Sequence, residues 1–235
     1  MAKRTITEMS YERAKKNIER NNDTIKRLEK GGVLFINPAS CYVEETVKIG
    51  KGTVVEQNVM LQGETVIGEN CVIGMGSKIV DTKIGDGCDF LSVVAVNCEV
   101  GNDVLAGPFA YIRPGSKIAD NVKVGDFVEV KNAVIGEGTK IAHLTYVGDS
   151  DVGKNVNFGC GTVTVNYDGK KKARCKIGDD CFIGCNTNIV APVEIKAGAY
   201  TAAGSTITDE VPEKNLAIAR ARQVNKSAWK DKRED

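Results

Sequence analysis

The chain has 235 residues, and its 32 Lys and Arg against 31 Asp and Glu leave a formal net charge of +1. Hydrophobic residues make up 42%, which is enough for a core, and the small net charge argues against a nucleic-acid-binding protein. No apolar run approaches the ~18 residues of a transmembrane helix, and the first residues lack the apolar segment of a secretion signal. We therefore expect a cytoplasmic protein without membrane or nucleic-acid partners.

Residues 5–30 predict a helix with apolar positions near heptad spacing, interrupted by the polar Asn21. Gly31 and Gly32 are expected to end it. Residues 1–32 thus form an N-terminal helix and linker. Two interpretations stay open: the helix docks on the chain's own core, or it makes a helical contact between subunits.

A six-residue repeat dominates residues 33–211. Apolar anchor residues recur every six positions from Val43 to Ile207, with slips of one or two residues; one slip places anchors at Val96 and Val100. The chain also has 28 Val and 19 Ile against 7 Leu, a preference typical of strands. Period six fits neither a helix nor an isolated strand. It predicts an all-β fold, a left-handed parallel β-helix of about nine coils.

Residues 212–235 have no repeat and are expected to form a polar C-terminal tail that includes Trp229. The eight cysteines include no CxxC pair, so we expect reduced, buried thiols and no metal site.

The repeat predicts which side chains lie above one another, because anchors three apart occupy the same face in successive coils, ~4.8 Å apart. Arg113 and Lys131 each follow an anchor by one and should stack. Two stacked cations need an anion: either Glu129 or Asp126 supplies it, or the pair is a phosphate clamp.

A second predicted column consists of His143, Cys160, Cys185 and Ala203, each two residues past its anchor. Small residues leading to a histidine suggest a groove for an extended ligand, with a structural role for His143 as the alternative. His143 is the only histidine, which excludes a three-histidine zinc site of the carbonic anhydrase type. The segment Val165–Arg174 interrupts the repeat, and its Asp168-Gly169 pair predicts a tight turn in a projecting loop.

Four segments carry a resemblance to a known family: GPFAYIRPG (107–115), VGDFVEVKNAVIGEGTKIAHLTYVGD (124–149), VNFGCGTVTVNYDG (156–169) and LAIARARQ (216–223). Together they closely resemble the acetyltransferase half of the bacterial bifunctional glucosamine-1-phosphate acetyltransferase/N-acetylglucosamine-1-phosphate uridyltransferase. The resemblance implies a trimer of left-handed β-helices with acetyl-CoA bound between subunits.

The resemblance also implies roles for individual residues. His143 would be the general base. The sugar phosphate would be held by Arg113, Lys131 and Lys172, the last from a neighbouring chain, and the sugar by Tyr146 and Asn157. The acetyl-CoA positions would be Cys160, Asn166, Tyr167, Cys185, Ala203 and Arg220.

This sequence departs from the family at several positions. Cys160 and Cys185 replace the usual Ala and Ser, and Ala221-Arg222 replaces a hydrophobic-Pro pair. The family's nucleotide-binding domain has no counterpart in these 235 residues, so uridyl transfer is not expected. We expect acetyl-CoA-dependent N-acetylation of glucosamine 1-phosphate. The alternatives are another amino-sugar phosphate or nucleotide-linked amino sugar as acceptor, or a β-helical scaffold without catalysis.

Overall fold

The structure is a computed structural model that describes residues 11–227. It contains one α-helix, α1 (Tyr11–Lys30), one 3-10 turn (Pro38–Ser40) and thirty short strands. In chain order, β1 to β30 are Leu34–Phe35, Tyr42–Val43, Lys48–Ile49, Val54–Val55, Met60–Gln62, Val66–Ile67, Val72–Ile73, Lys78–Val80, Lys83–Ile84, Asp89–Phe90, Val94–Val96, Glu99–Val100, Leu105–Ala106, Tyr111–Ile112, Lys117–Ile118, Lys123–Asp126, Glu129–Lys131, Val134–Ile135, Lys140–His143, Tyr146–Gly148, Ser150–Val152, Asn157–Phe158, Val163–Val165, Cys175–Ile177, Phe182–Ile183, Asn188–Val190, Glu194–Ile195, Tyr200–Thr201, Thr206–Ile207 and Leu216–Ala217.

Three parallel sheets form the three faces of a prism, because strands pair with the strand three places later in the chain, except that β28 pairs with β30. Sheet A has eleven strands from β1 to β30, sheet B ten from β2 to β29, and sheet C nine from β3 to β27. The prediction of a left-handed parallel β-helix is confirmed, with about ten coils instead of nine. The difference arises at the ends, where Phe35 and Ala217 add anchors outside the predicted repeat.

The anchors point into the prism and make up its core. Of the predicted anchors, Ile49 and Val96 are partly buried, while the others are buried. The prediction for Val96 is wrong, because Ala95 is the fully buried residue that pairs with both Ile79 and Ile112. The chain therefore makes two five-residue steps, from Phe90 to Ala95 and on to Val100.

Two anchors are threonines, and both hydroxyls are hydrogen-bonded inside the core. Thr164 Oγ1 accepts from the N–H of Gly148 at 2.7 Å and donates to its carbonyl at 3.1 Å. Thr201 Oγ1 accepts from the N–H of Gly184 at 3.0 Å. A buried hydroxyl costs little when it is paired in this way.

Helix α1 docks on the chain's own first coil, as in the first interpretation of the N-terminal segment, and a helical contact between subunits stays a prediction. Ile25 and Leu28 are buried with the core, and Asn21 joins the helix to strand β2. Its Nδ2 donates to the carbonyl of Cys41 at 3.0 Å, and its Oδ1 accepts from the N–H of Val43 at 2.7 Å. The polar residue within the apolar pattern thus satisfies backbone groups at the open end of the prism. The predicted residues 5–10 lie outside the described part.

At the other end the β-helix extends past residue 211, since β30 pairs with β28 within the segment expected to be a tail. Trp229 lies outside the described residues. Within residues 11–227, no helix is both long enough and apolar enough to cross a membrane.

Candidate active site

Arg113 and Lys131 stack on the outer face of sheet B, as the repeat predicted, because Ile112 and Val130 are register partners. Each cation has its own carboxylate. The guanidinium of Arg113 contacts Glu129 at 2.6 Å, and Lys131 Nζ lies 3.8 Å from Asp149 Oδ2. The sequence analysis offered Glu129 or Asp126 as the partner of these cations. Glu129 is that partner, and Asp126 does not contact them.

Asp149 is buried and organises the surrounding polar groups. Asn132 Nδ2 donates to its Oδ1 at 2.5 Å, and Asn166 Nδ2 donates to its Oδ2 and lies 3.3 Å from the hydroxyl of Tyr146. Burial raises the pKa of Asp149, but the amide hydrogen bonds and the charges of Lys131 and Lys172 outweigh it, so its pKa lies below the usual range. Asp149 therefore stays ionised and holds Asn166 and Lys131 in place.

Gly148 makes room for the ring of Tyr146. A Cβ at position 148 would lie 2.3 Å from the Tyr146 hydroxyl oxygen, 2.5 Å from its Cζ and 2.8 Å from Asn166 Nδ2. Tyr146 thus lies flat across the strand, with its hydroxyl beside Asn166. Only glycine permits this arrangement at position 148.

The segment after Val165 is a hairpin loop, in agreement with the predicted turn. Asp168 Oδ1 accepts from the N–H groups of Lys170 and Lys171 at 2.7 and 2.6 Å. Tyr167 and Lys172 pair as an isolated antiparallel bridge. The loop therefore turns back on itself and returns toward sheet B.

Lys172 lies beside Lys131 of the same chain. The resemblance implied that Lys172 comes from a neighbouring chain, and this stays a prediction; within one chain, the hairpin brings Lys172 to sheet B. The adjacent Lys172 ammonium and partial burial lower the pKa of Lys131. Among the described residues, the buried Nε of Arg113 has no hydrogen-bond partner. The cluster thus carries repulsion between cations and a donor without an acceptor, both of which an anion would relieve.

The register places His143, Cys160, Cys185 and Ala203 in one column at the corner between sheets A and B. Each follows a residue of the paired series Ile141, Phe158, Ile183 and Thr201 by two positions. The backbone confirms the stacking, since the N–H groups after Cys185 and Ala203 donate to the carbonyls of Cys160 and Cys185. Arg220 Cδ lies 3.7 Å from where a Cβ of Gly204 would be, so Arg220 stands at the far end of the column.

His143 is exposed at the head of this column and contacts Asp126 in the preceding coil. Its Nδ1 lies 2.6 Å from Asp126 Oδ1, and the two residues are register partners of β19 and β16. The hydrogen bond with His143 lowers the pKa of Asp126, which keeps the carboxylate ionised. The sequence argument had assigned Asp126 to the stacked cations. Its position two residues past Val124 puts it in the histidine column, a signal that was available from the repeat.

Two further predicted residues belong to sheet A and to the hairpin loop. Asn157 lies on sheet A, where it pairs with Lys140 and Phe182, and Tyr167 is in the exposed loop. Sequence reasoning missed Asp149 and Asn132, which support the cluster from beneath. Asp149 follows Gly148 at the end of β20, and the repeat alone carries no sign that its side chain is buried.

An apolar ridge adjoins His143, formed by Phe109, Phe127 and Leu144. They are exposed by 60, 57 and 57%, and the two phenyl rings stack with centroids 5.4 Å apart. All three have a positive φ, 60°, 54° and 46°, a conformation that bulky side chains rarely adopt. The corner thus presents apolar side chains to solvent at a cost in backbone strain.

All eight cysteines are free, and six are buried as predicted, whereas Cys160 is partly exposed and Cys185 exposed. In residues 11–227, no group of three or more His, Cys, Asp and Glu side chains is arranged to hold a metal ion.

Comparison with known proteins agrees with the six-residue repeat. The family described as bacterial transferase hexapeptide (six repeats) matches residues 46–81, 97–132 and 174–209. The bifunctional protein GlmU of Geobacillus sp. (strain WCH70) is 56% identical over 201 residues, which are 86% of this chain and 44% of that protein. GlmU of Clostridium beijerinckii is 50% identical over 216 residues, 92% of this chain and 47% of that protein. The chain spans less than half the length of these relatives.

Among solved structures, the Arabidopsis UDP-N-acetylglucosamine acyltransferase superposes with a TM-score of 0.55 at 19% identity. The match covers 80% of this chain and 66% of that one, and it supports the β-helical fold. The chain therefore belongs to the hexapeptide-repeat transferases, and its sequence corresponds to the acetyltransferase region of the bifunctional GlmU proteins.

Proposed function

We propose that the protein is an acyltransferase that moves the acetyl group of acetyl-CoA to the amine of glucosamine 1-phosphate. The proposal rests on one observation: three cations, Arg113, Lys131 and Lys172, lie together on sheet B. In the sequence they lie near the corner residue His143. The high identity to the GlmU proteins over most of this chain supports the same assignment.

The cation cluster provides the phosphate subsite. A sugar phosphate is dianionic near neutral pH, whereas Glu129 and Asp149 supply only one carboxylate each to the cations. A phosphate oxygen between Lys131 and Lys172 relieves their repulsion, and the guanidinium of Arg113 has donors to offer it. Tyr146, held by Asn166, lies between this subsite and the corner and can contact the sugar ring.

The corner column provides the acetyl-CoA groove, with the thioester next to His143 and the CoA phosphates toward Arg220. The carbonyl of Cys160 accepts from the N–H of Asn186, whereas the N–H of Cys160 has no acceptor among the described residues. A backbone donor of this kind suits the thioester oxygen, and such donors typically contribute ~3–4 kcal/mol to transition-state binding.

The reaction is direct transfer. The amine nitrogen attacks the thioester carbonyl carbon and His143 takes the amine proton. The carbon–sulfur bond then breaks, and His143 passes that proton to the sulfur, so that CoA leaves as its thiol. No protein nucleophile is needed. Cys160 as a covalent acyl carrier is the less favoured route, and a stable acyl-enzyme in a rapid quench would be its signature.

A thiol-release assay with acetyl-CoA and a panel of amino-sugar phosphates tests the proposal. Release should be fastest with glucosamine 1-phosphate, and His143→Ala should lower turnover by about 10²–10⁴ with acetyl-CoA affinity nearly unchanged. Faster release with another amino sugar or a nucleotide-linked one would reassign the acceptor. Absence of release with every acceptor would leave the scaffold interpretation.

We further propose a homotrimer with acetyl-CoA bound between neighbouring prisms. The exposed ridge of Phe109, Phe127 and Leu144 supports an intermolecular contact at this corner, since covering it removes apolar surface from water. Light scattering measures the oligomeric state.

Refolding a mixture of His143→Ala and Lys172→Ala chains, assayed at a sugar-phosphate concentration low enough that both parents are impaired, shows which chain uses Lys172. The contact of Lys172 with its own Lys131 predicts no recovery of activity. Recovery would mean that the loop serves a neighbouring chain.

A further inference from the structure

The side chain of His143 has one short polar contact, with a carboxylate from the preceding coil. Asp126 Oδ1 lies 2.6 Å from Nδ1, and the side chains are 37% and 56% exposed. Strands β16 and β19 are paired through Val124–Ile141 and Asp126–His143, so the backbone ladder itself sets the separation of the two residues. This contact is thus part of the coil geometry and does not depend on a mobile loop.

The neighbouring carboxylates are already engaged by other groups. Glu129 contacts Arg113 at 2.6 Å, and Asp149 accepts from Asn132 and Asn166. An ionised carboxylate can only accept hydrogen bonds. The proton in the contact between Asp126 and His143 must therefore be on Nδ1.

We propose that Asp126 is a positioning residue that holds the neutral imidazole of His143 as its Nδ1–H tautomer. In a neutral imidazole, the hydrogen bond made by one ring nitrogen determines which of the two nitrogens carries the proton. With Nδ1 donating to Asp126, Nε2 keeps its lone pair and faces away as a proton acceptor. The consequence for acetyl transfer rests on the proposed function, whereas the tautomer itself does not.

Nitrogen NMR tests the tautomer directly, because His143 is the only histidine in the chain. Protein grown with ¹⁵N-histidine should show, at a pH where the ring is neutral, a protonated Nδ1 and an unprotonated Nε2. Asp126→Ala should shift the population toward the Nε2–H form. Asp126→Asn keeps an acceptor oxygen and should retain much of the Nδ1–H form.

The control is Glu99→Gln, which removes an exposed carboxylate that pairs with Lys117 on sheet C. It should leave the nitrogen spectrum unchanged. An Nε2–H ring in the wild type, or the same tautomer in wild type and Asp126→Ala, would overturn the proposal. Because this readout needs no turnover, its failure is distinct from a failure of the proposed function.

In the acetyl-transfer assay, Asp126→Ala should lower kcat by about 10- to 100-fold and leave KM for acetyl-CoA unchanged. Asp126→Asn should recover part of the loss. A tautomer shift with unchanged kcat would remove the positioning role from the reaction.

Discussion

Substituting Gly148 by alanine tests whether the pose of Tyr146 matters for substrate. The new Cβ would lie 2.3 Å from the Tyr146 hydroxyl oxygen, whereas ordinary contact begins at 3.4 Å. The ring must therefore retreat by about 1 Å, which also breaks the 3.3 Å contact with Asn166. The atoms that must move are side-chain ends, so the fold should lose only about 1 kcal/mol of stability, the value of one hydrogen bond.

A displacement of about 1 Å in a positioning group can cost on the order of 10²-fold in rate. We expect Gly148→Ala to lower kcat/KM for the sugar phosphate by about that factor, with normal acetyl-CoA binding and a nearly normal urea midpoint. The matched control is Gly136→Ala, away from the site, where the new Cβ would lie 2.4 Å from the carbonyl of Gly153.

Backbone cannot retreat as a side chain does, so the control should lose stability while its folded fraction keeps full activity. A folded Gly148→Ala protein with unchanged kcat/KM would refute the reasoning, because Tyr146 would then have no part in holding the substrate.

Three further predictions concern stability, pH and phosphate binding. Asn21→Ala should lower the free energy of unfolding by about 2–3 kcal/mol through the loss of two backbone contacts, whereas the exposed neighbour Asn22→Ala should change it little in the same urea titration. The pKa of Asp149 is lowered in the fold, so its stabilisation is present at neutral pH and disappears as the pH falls through that lowered value. The stability gap between wild type and Asp149→Asn should therefore narrow on acidification, and a constant gap would contradict the lowered pKa. Lys172→Ala removes the main cause of the lowered pKa of Lys131 and one phosphate contact; KM for the sugar phosphate should rise about tenfold with kcat little changed.

Register arithmetic explains both the success and the failure of the sequence analysis. A constant six-residue step determines which residues stack, so the His143 column and the pairing of Arg113 with Lys131 could be predicted. Ala95 and Val96 are adjacent and both apolar, so either could be the anchor. Apolarity alone therefore does not distinguish two five-residue steps from a six-residue step followed by a four-residue step. Only strand pairing with the coils on either side resolves that choice.

Side-chain contacts were harder to predict because the repeat determines columns and not side-chain directions. Asp126 lies two residues past the anchor Val124, which places it in the same column as His143. Its negative charge nevertheless led to the prediction that it pairs with Arg113 and Lys131. Asp149 is buried by Asn132 and Asn166, which reach it from other coils. The repeat also contains no information about the hairpin that places Lys172 beside Lys131.

The step between coils is short throughout the β-helix, 16 to 20 residues outside the loop, and this has a consequence for folding. Paired residues such as Ile118 and Ile135 are seventeen positions apart, and the step lengthens to twenty-five only across the loop, between Val152 and Ile177. Scaled by the chain length, this separation gives a relative contact order of roughly 0.07, a value typical of helical bundles and not of all-β proteins. The β-helix can therefore nucleate at any coil and grow in both directions, with the loop before Cys175 as the one step at which closure costs additional chain entropy.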